Sequence, residues 1–206
     1  MNLALLTGAD SNYKGEFLMK KDIGAAALVT PMPVCIVAAY DAEGKPNAMN
    51  AAWGINSGNN EVALFISKPH KTTKNILETK AFTVSIADAA NVVPADYVGI
   101  DSGNKVENKF EKSGLHETKS AHVNAPVIEE FPLVMECELE EVIDTEHTFA
   151  IIGKVVNTQA EEAVLGEDGK VDITKLNAIS FDTFHFGYYA LGEKVAQAWD
   201  AGKKLV

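Results

Sequence analysis

The sequence predicts an α+β protein, mainly β, in which an antiparallel sheet closes into a barrel with peripheral helices. Apolar and β-branched runs recur along the chain with short turns between them, and short helical segments interrupt these runs. Because six or seven hairpin-linked strands would leave exposed edges in an open sheet, closure into a barrel is expected. No repeat or linker divides the chain. We therefore expect a single domain over residues 1–206, with its core at about 24–192.

The strands are predicted from residue type and from the turns that separate them. Segment 34–40 follows Pro33 and is a continuous β-rich run, long enough for a buried strand. Residues 41–45 form a turn in which Gly44 can take a positive φ, and the chain then returns as a second strand. Two longer β-branched runs are joined by a turn at 143–147. The predicted strands are 34–40, 46–53, 62–67, 82–86, 133–142, 148–157 and a short last one at 178–181.

The helices are predicted from capping residues and composition. Thr72 or Thr73 would cap a helix over 74–80. Asn104 begins a sequence that matches a capping box, and the helix that follows would end at Gly114. The other predicted helices are an alanine-rich one over 88–97, broken near Pro94, and a terminal one over 193–203 with lysines at its C-terminal end.

Composition and charge narrow the function. The chain has 206 residues, 47% of them hydrophobic, and a formal net charge of −11. An acidic chain repels nucleic acid and anionic lipid, so neither is an expected partner. No apolar run approaches the ~18 residues of a membrane span, and the N-terminus lacks the zones of a signal peptide, so a cytoplasmic protein is expected. No Cys/His cluster has metal-ligand spacing, so no metal is expected.

The strand with the sequence Asn-Ala-Met-Asn-Ala-Ala-Trp suits a flat ring. Asn47, Met49, Ala51 and Trp53 lie on one face of this strand, and Asn50 lies on the other. Small residues let a planar ring approach the backbone, asparagines can pair with ring carbonyl and nitrogen edges, and a tryptophan can cover a ring edge. A core aromatic and asparagines that cap a turn remain the alternatives.

A cationic turn after the next strand suits a phosphate. The turn contains no acid and opens a helix, whose first backbone N–H groups are unpaired and lie at the positive end of the helix dipole. Charge-assisted hydrogen bonds from such a turn to a dianion are short and strong. A solvated surface turn remains the alternative, and the glycine pattern of a P-loop is absent. The cationic and hydroxyl side chains are Lys68, His70, Lys71, Thr72, Thr73 and Lys74.

A ring-binding strand followed by a phosphate-binding turn suits flavin mononucleotide (FMN), which has a flat ring at one end and a phosphate at the other. From about Gly24 to Trp199, the chain resembles the flavoredoxin branch of the flavin reductase-like, FMN-binding split-barrel family. The motifs that carry this resemblance are Pro31-Met32-Pro33-Val34, the segment 44–54, Asn75-Ile76, Phe82-Thr83-Val84-Ser85, Asp96-Tyr97-Val98-Gly99 with Ser102-Gly103, Lys109-Phe110 and Tyr189-Ala190-Leu191-Gly192.

The resemblance implies a six-stranded Greek-key split barrel, a homodimer and an FMN site near the dimer interface. Lys109 occupies the lysine of the family's Asp-Lys-Phe motif, His147 matches a histidine that could tune the ring, and Phe181 matches a phenylalanine that approaches the ring. Relatives often carry Arg where this chain has Lys68, so a bidentate phosphate clamp is lost there. The expected cofactor-binding residues are Asn47, Met49, Asn50, Ala51, Trp53, Ser67, Lys68, His70, Thr72, Thr73, Lys109, His147 and Phe181.

The leading hypothesis is a cytoplasmic, homodimeric FMN-dependent oxidoreductase of the flavoredoxin or flavin reductase type. It would accept a hydride from NADH or NADPH and pass electrons to a flavin, a protein or a small-molecule acceptor. The flavin would carry the redox chemistry, so no catalytic side chain is expected. One alternative is a non-catalytic FMN-binding electron-transfer protein without a nicotinamide site. Another is a split-barrel protein that binds a different ligand, such as haem.

Overall fold

The structure, a computed structural model, describes residues 20–205. Most strands form one antiparallel sheet, beside which lie a three-stranded sheet and a two-stranded hairpin. The strands are β1 (Met32–Pro33), β2 (Cys35–Tyr40), β3 (Pro46–Ala51), β4 (Gly54–Asn56), β5 (Glu61–Leu64), β6 (Ala81–Ile86), β7 (Glu117–Lys119), β8 (Pro126–Ile128), β9 (Leu133–Asp144), β10 (Phe149–Ala160), β11 (Ile179–Phe181) and β12 (Tyr188–Ala190). The helices are α1 (Lys71–Thr79), α2 (Val92–Ile100), α3 (Lys109–Lys112) and α4 (Ile173–Leu176), and 3₁₀ helices cover Glu162–Val164 and Ala201–Leu205.

The large sheet runs in the order β3-β2-β6-β9-β10-β5-β4. Its two edge strands, β3 and β4, are separated in the chain only by Ala52 and Trp53. This short connection brings the two edges of the sheet together, so the sheet curls into a half-open barrel. The predicted antiparallel, mainly β architecture is confirmed. The expected count of six strands is wrong, because β4 adds a seventh; its sequence Gly-Ile-Asn has little strand character, and pairing with β5 determines its conformation.

Strand β2 is buried on both faces, which explains its continuous apolar sequence. On one face, Ile36 packs in a core cluster with Val98 of helix α2. On the other face, Val37 pairs with Met49 of β3 and Val84 of β6 and packs in the core inside the barrel. Strand β3 pairs with β2, and helix α2 packs against β3. This packing holds the edge strand β3 next to the loop that follows α2.

Three helix predictions differ from the structure. Helix α2 contains Pro94 in its first turn, where a proline costs no helical hydrogen bond, so the expected break is absent. Asn104 does not cap a helix, and α3 begins only at Lys109. The expected α-helix over 193–203 does not form, because Val195 and Trp199 are 99% and 94% exposed and no described residue packs against them to support so short a helix. Among the described residues, no helix has the length and apolar character needed to cross a membrane.

Candidate functional site

Helix α1 begins with an open N-terminus. His70 is the N-cap residue, and no side chain caps the first turn, which also contains no acid. Within the described part of the chain, the backbone N–H groups of residues 71–73 have no hydrogen-bond partner. Thr72 and Thr73 therefore lie inside the first turn, and the prediction that one of them caps the helix is wrong. The unpaired N–H groups and the helix dipole favour an anion at this position.

A buried hydrogen bond joins the edge strand β3 to this helix start. The Asn47 side-chain amide donates to the Thr72 hydroxyl over 2.6 Å, and the two residues are 7% and 1% exposed. Because the Thr72 oxygen accepts this bond, its own hydrogen remains available to a ligand. The Thr73 hydroxyl instead donates to the Ser67 carbonyl over 2.9 Å. Thr73 and Ser67 therefore hold the turn together, and Thr72 is the hydroxyl left for a ligand.

The loop between α2 and α3 closes a cavity of about 230 Å³ against β3 and the start of α1. Glycines permit the close approach: a Cβ at Gly99 would lie 3.0 Å from the Asn50 Cβ, and a Cβ at Gly103 would overlap the Asn47 side-chain oxygen. Asn104 holds the loop by donating to a carbonyl in the turn before α1 over 2.8 Å. The cavity is lined by Asn47, Met49, Asn50, His70, Lys71, Thr72, Val98, Gly99, Ile100, Asp101, Ser102, Gly103 and Lys109.

Lys109 is a buried cation in the wall of this cavity. Only 4% of the residue is exposed, and no described residue forms a hydrogen bond or an ion pair with its ammonium group. Burial lowers the pKa of Lys109 to about 8, against a smaller opposing effect of the Asp101 carboxylate. A buried charge without a partner is unfavourable, and a bound anion would supply the missing partner.

The electrostatics around Lys109 extend to His70, which lines the same cavity. Burial, and after it the positive charge of Lys109, lowers the pKa of His70, which favours its neutral form. An anion bound between these two side chains would favour the protonated form of both. Asp101 is the only acid among the described lining residues, which also include Lys71 and Lys109.

A hydrogen-bond network orients Asn50. Its amide nitrogen donates to the Ala95 carbonyl over 3.0 Å and to the Tyr188 hydroxyl over 3.2 Å. The Tyr188 hydroxyl in turn donates to the Asp96 carboxylate over 2.8 Å. The amide donors of Asn50 are therefore used within the protein, and its side-chain oxygen is the group left to accept a hydrogen bond from a ligand N–H.

Trp53 lines a second cavity, of about 630 Å³, near the join of the two sheet edges, and its ring lies beside that of Phe181. The two ring centroids are 6.4 Å apart. The described lining residues of this cavity include no charged side chain, so it suits an apolar group rather than a phosphate. Ala51 is buried in the core inside the barrel, next to this region.

Lys68 and His147 do not line the smaller cavity. The Lys68 ammonium forms an ion pair with Asp144 at 2.5 Å and lies 5.4 Å from the centre of the Phe149 ring. His147 lies in the turn between β9 and β10, and its side chain is 85% exposed. Of the predicted set, the smaller cavity brings together Asn47, Met49, Asn50, His70, Thr72 and Lys109.

The loop at 98–103 was not among the predicted site residues. Gly99, Ser102 and Gly103 occur in motifs that carry the family resemblance, and only this resemblance could have indicated that the loop belongs to the site. No local pattern indicates that the loop packs against β3, because that contact depends on the packing of helix α2 against the strand.

Comparison with known proteins agrees with the resemblance seen in the sequence. The flavoredoxin of Desulfovibrio vulgaris (Miyazaki F) is 38% identical with a TM-score of 0.85, covering 90% of this chain and 100% of that chain. The flavoredoxin from Methanosarcina acetivorans is 27% identical with a TM-score of 0.83, covering 91% and 100%. An uncharacterized protein of Aquifex aeolicus (strain VF5) is 29% identical over 173 residues, which are 80% of this chain and 86% of that protein. The model of the flavin reductase like domain matches residues 28–175, and the chain therefore belongs to the flavin reductase like domain family.

Proposed function

We propose that the chain binds FMN and passes electrons from NADH or NADPH through it to a flavin, a protein or a small-molecule acceptor. The observation that carries this proposal is Lys109, a buried cation beside an open helix N-terminus, whose ammonium group forms no ion pair with any described residue. Membership of the flavin reductase like domain family supports flavin-related redox chemistry. The flavoredoxins among the similar structures support a bound flavin, and the single cation beside the helix start suits the one phosphate of FMN.

In this proposal the FMN phosphate is bound at the start of α1. The backbone N–H groups of residues 71–73 and the Thr72 hydroxyl donate hydrogen bonds, and Lys109 supplies the opposite charge. His70 becomes a second charged donor when the dianion favours its protonated form. Charge-assisted hydrogen bonds of this kind contribute about 1.5–3 kcal/mol each.

We call the cavity of about 230 Å³ at the start of α1 the phosphate cavity. Strand β3 leads from this cavity to the aromatic residues that follow the strand. Asn47, Met49 and Asn50 line the cavity, and Trp53 follows the strand. These residues would bind the remainder of the ligand and shield it from water, with the Asn50 oxygen as an acceptor for a ring N–H. Bound FMN would supply the hydride acceptance and electron transfer, and the protein would supply binding and orientation.

A second copy of this chain is the partner we propose for the apolar surface around the larger cavity. Trp53, Ile55 and Phe65 are 55%, 65% and 47% exposed there. Contiguous apolar surface of this kind is unusual on a monomer, and burial in a dimer would remove it from water. Sedimentation equilibrium should show a dimer that Ile55→Glu converts to a monomer. A wild-type protein that is monomeric at all concentrations would contradict this assembly.

The absorption spectrum of the purified protein tests the proposed cofactor. The protein should show flavin absorbance, or should bind added FMN after the flavin is removed. A protein that neither contains nor binds FMN would reject the proposal. Anaerobic addition of NADH or NADPH then tests the donor through the bleaching of flavin absorbance. Reduction by a protein partner but by neither nicotinamide would favour the non-catalytic electron-transfer alternative.

A further inference from the structure

We infer that the phosphate site selects FMN against FAD, because acidic side chains beyond Lys109 exclude a second phosphate. The inference rests on the proposed function and specifies which flavin the site takes. FAD differs from FMN in that its phosphate is linked to a second phosphate and an adenosine. Selection between the two flavins therefore depends on what lies next to the bound phosphate.

A second polar cavity, of about 290 Å³, adjoins the phosphate cavity. The two cavities share Asn47, Lys71, Gly103 and Lys109 as a common wall. A group attached to a phosphate at Lys109 has this neighbouring cavity as space into which it could extend. The charges of the neighbouring cavity therefore act on the second phosphate of FAD and much less on the terminal phosphate of FMN.

The lysines of the neighbouring cavity are mostly paired with acids. The Lys71 ammonium lies 3.2 Å from an Asp41 carboxylate oxygen, and the Lys45 ammonium lies 3.8 Å from a Glu107 carboxylate oxygen. Among the described lining residues, Lys109 is the one lysine without such a pair. The arrangement therefore offers one cation without an ion pair, which matches one phosphate group.

The surroundings of Asp41 in this cavity favour its charged form. Burial acts to raise the pKa of Asp41, but hydrogen bonds from the Lys45 backbone and the Lys71 side chain outweigh burial, and the net pKa lies below the ordinary value. Glu107 is almost fully exposed and Glu43 also lines the cavity. Once an FMN phosphate neutralises Lys109, a second phosphate would face these carboxylates without a free cation. The repulsion should be screened by salt, because charges interact over about 8 Å at physiological ionic strength.

Isothermal titration calorimetry of the flavin-free protein with FMN, FAD and riboflavin tests the inference. Wild-type protein should bind FMN at least about tenfold more tightly than FAD, and the ratio should fall as salt is raised. Asp41→Asn and Glu107→Gln should each narrow the FMN-to-FAD ratio by about threefold, the size of a screened surface interaction. Glu111→Gln is the matched control, since it removes an exposed charge on α3 that does not line the cavity.

The outcomes separate this inference from the proposed function. Equal affinities of the wild type for FMN and FAD would overturn the inference that the site selects FMN. An FMN-to-FAD affinity ratio that is unchanged in both Asp41→Asn and Glu107→Gln would also overturn it. In either case the proposal that the protein binds FMN would still hold. Absence of FMN binding would reject the proposed function itself. Asp41 accepts hydrogen bonds within its turn, so its variant could misfold. Glu107→Gln then still decides the question, because the Glu107 side chain is 94% exposed.

Discussion

Asn47 on strand β3 and Thr72 in the first turn of α1 are joined by a side-chain hydrogen bond of 2.6 Å. The two residues are distant in the chain and both are buried, so the bond fixes the strand relative to the start of the helix. It also determines which way the Thr72 hydroxyl can donate, because its oxygen is already an acceptor. The part of the site proposed for the phosphate is thereby linked to the strand proposed for the ring.

Replacement of Thr72 by valine should weaken FMN binding more than riboflavin binding. Valine keeps the shape of the side chain but removes the hydroxyl that we propose donates to the phosphate, and riboflavin has no phosphate. A lost charge-assisted hydrogen bond of about 1.5–3 kcal/mol corresponds to a loss of about 10- to 100-fold in FMN affinity. Thr79→Val is the matched control, because the Thr79 hydroxyl donates to the Asn75 carbonyl in the last turn of α1 and does not line the cavity. Equal weakening of both flavins by Thr72→Val would place the phosphate elsewhere.

Replacement of Lys109 by methionine should stabilise the flavin-free protein while it reduces the preference for FMN over riboflavin. The folded state buries this ammonium without a partner, and methionine removes that cost, about 1–3 kcal/mol at neutral pH. Thermal unfolding of the flavin-free protein and flavin titration measure the two effects. Lys68→Met is the control: its ammonium pairs with Asp144, so FMN affinity should change less than about threefold. A less stable flavin-free Lys109→Met protein would contradict the assignment.

FMN binding should weaken as the solution becomes alkaline. Burial lowers the pKa of Lys109 to about 8 in the free protein, and a bound dianion would raise it. The contribution of Lys109 to affinity is therefore complete below the pKa of the free protein and is lost as the pH rises through the higher pKa of the complex. Titrations with FMN and riboflavin between about pH 7 and 10 measure this difference. A parallel decline for both flavins would show that Lys109 does not bind the phosphate.

Local patterns in the sequence predicted the parts of the site that lie on regular elements. The small-residue strand with Asn47 and Asn50, and the cationic turn with Thr72, form adjoining walls of one cavity. The family resemblance was needed to single out Lys109, which by itself looks like a surface lysine. Its burial depends on packing between α3 and β3, and no short-range pattern encodes such packing.

The differences between prediction and structure have the same origin. Strand β4 forms because β5 supplies a partner, although its own residues have little strand preference. The segment 193–203 has helical composition but forms no α-helix, and only its last residues enter a 3₁₀ helix, because no described residue packs against Val195 or Trp199. Thr72 or Thr73 was expected to cap a helix over 74–80, yet the helix begins at Lys71 with His70 as its N-cap and leaves its first N–H groups open. In each case a tertiary contact, or its absence, overrides local preference.

Replacement of Gly103 by alanine should disrupt the phosphate site without unfolding the protein. An added Cβ would overlap the Asn47 side-chain oxygen and lie 3.2 Å from the Lys71 Cβ, so either the loop or Asn47 must move. Movement of Asn47 would break its hydrogen bond with Thr72, and FMN affinity should fall at least about tenfold, the loss of one strong hydrogen bond. Gly192→Ala is the matched control, because no described residue beyond its chain neighbours has a heavy atom within 4 Å of the added Cβ. FMN affinity that is unchanged in Gly103→Ala, with an unchanged melting temperature, would show that the close approach of loop and strand does not shape the site.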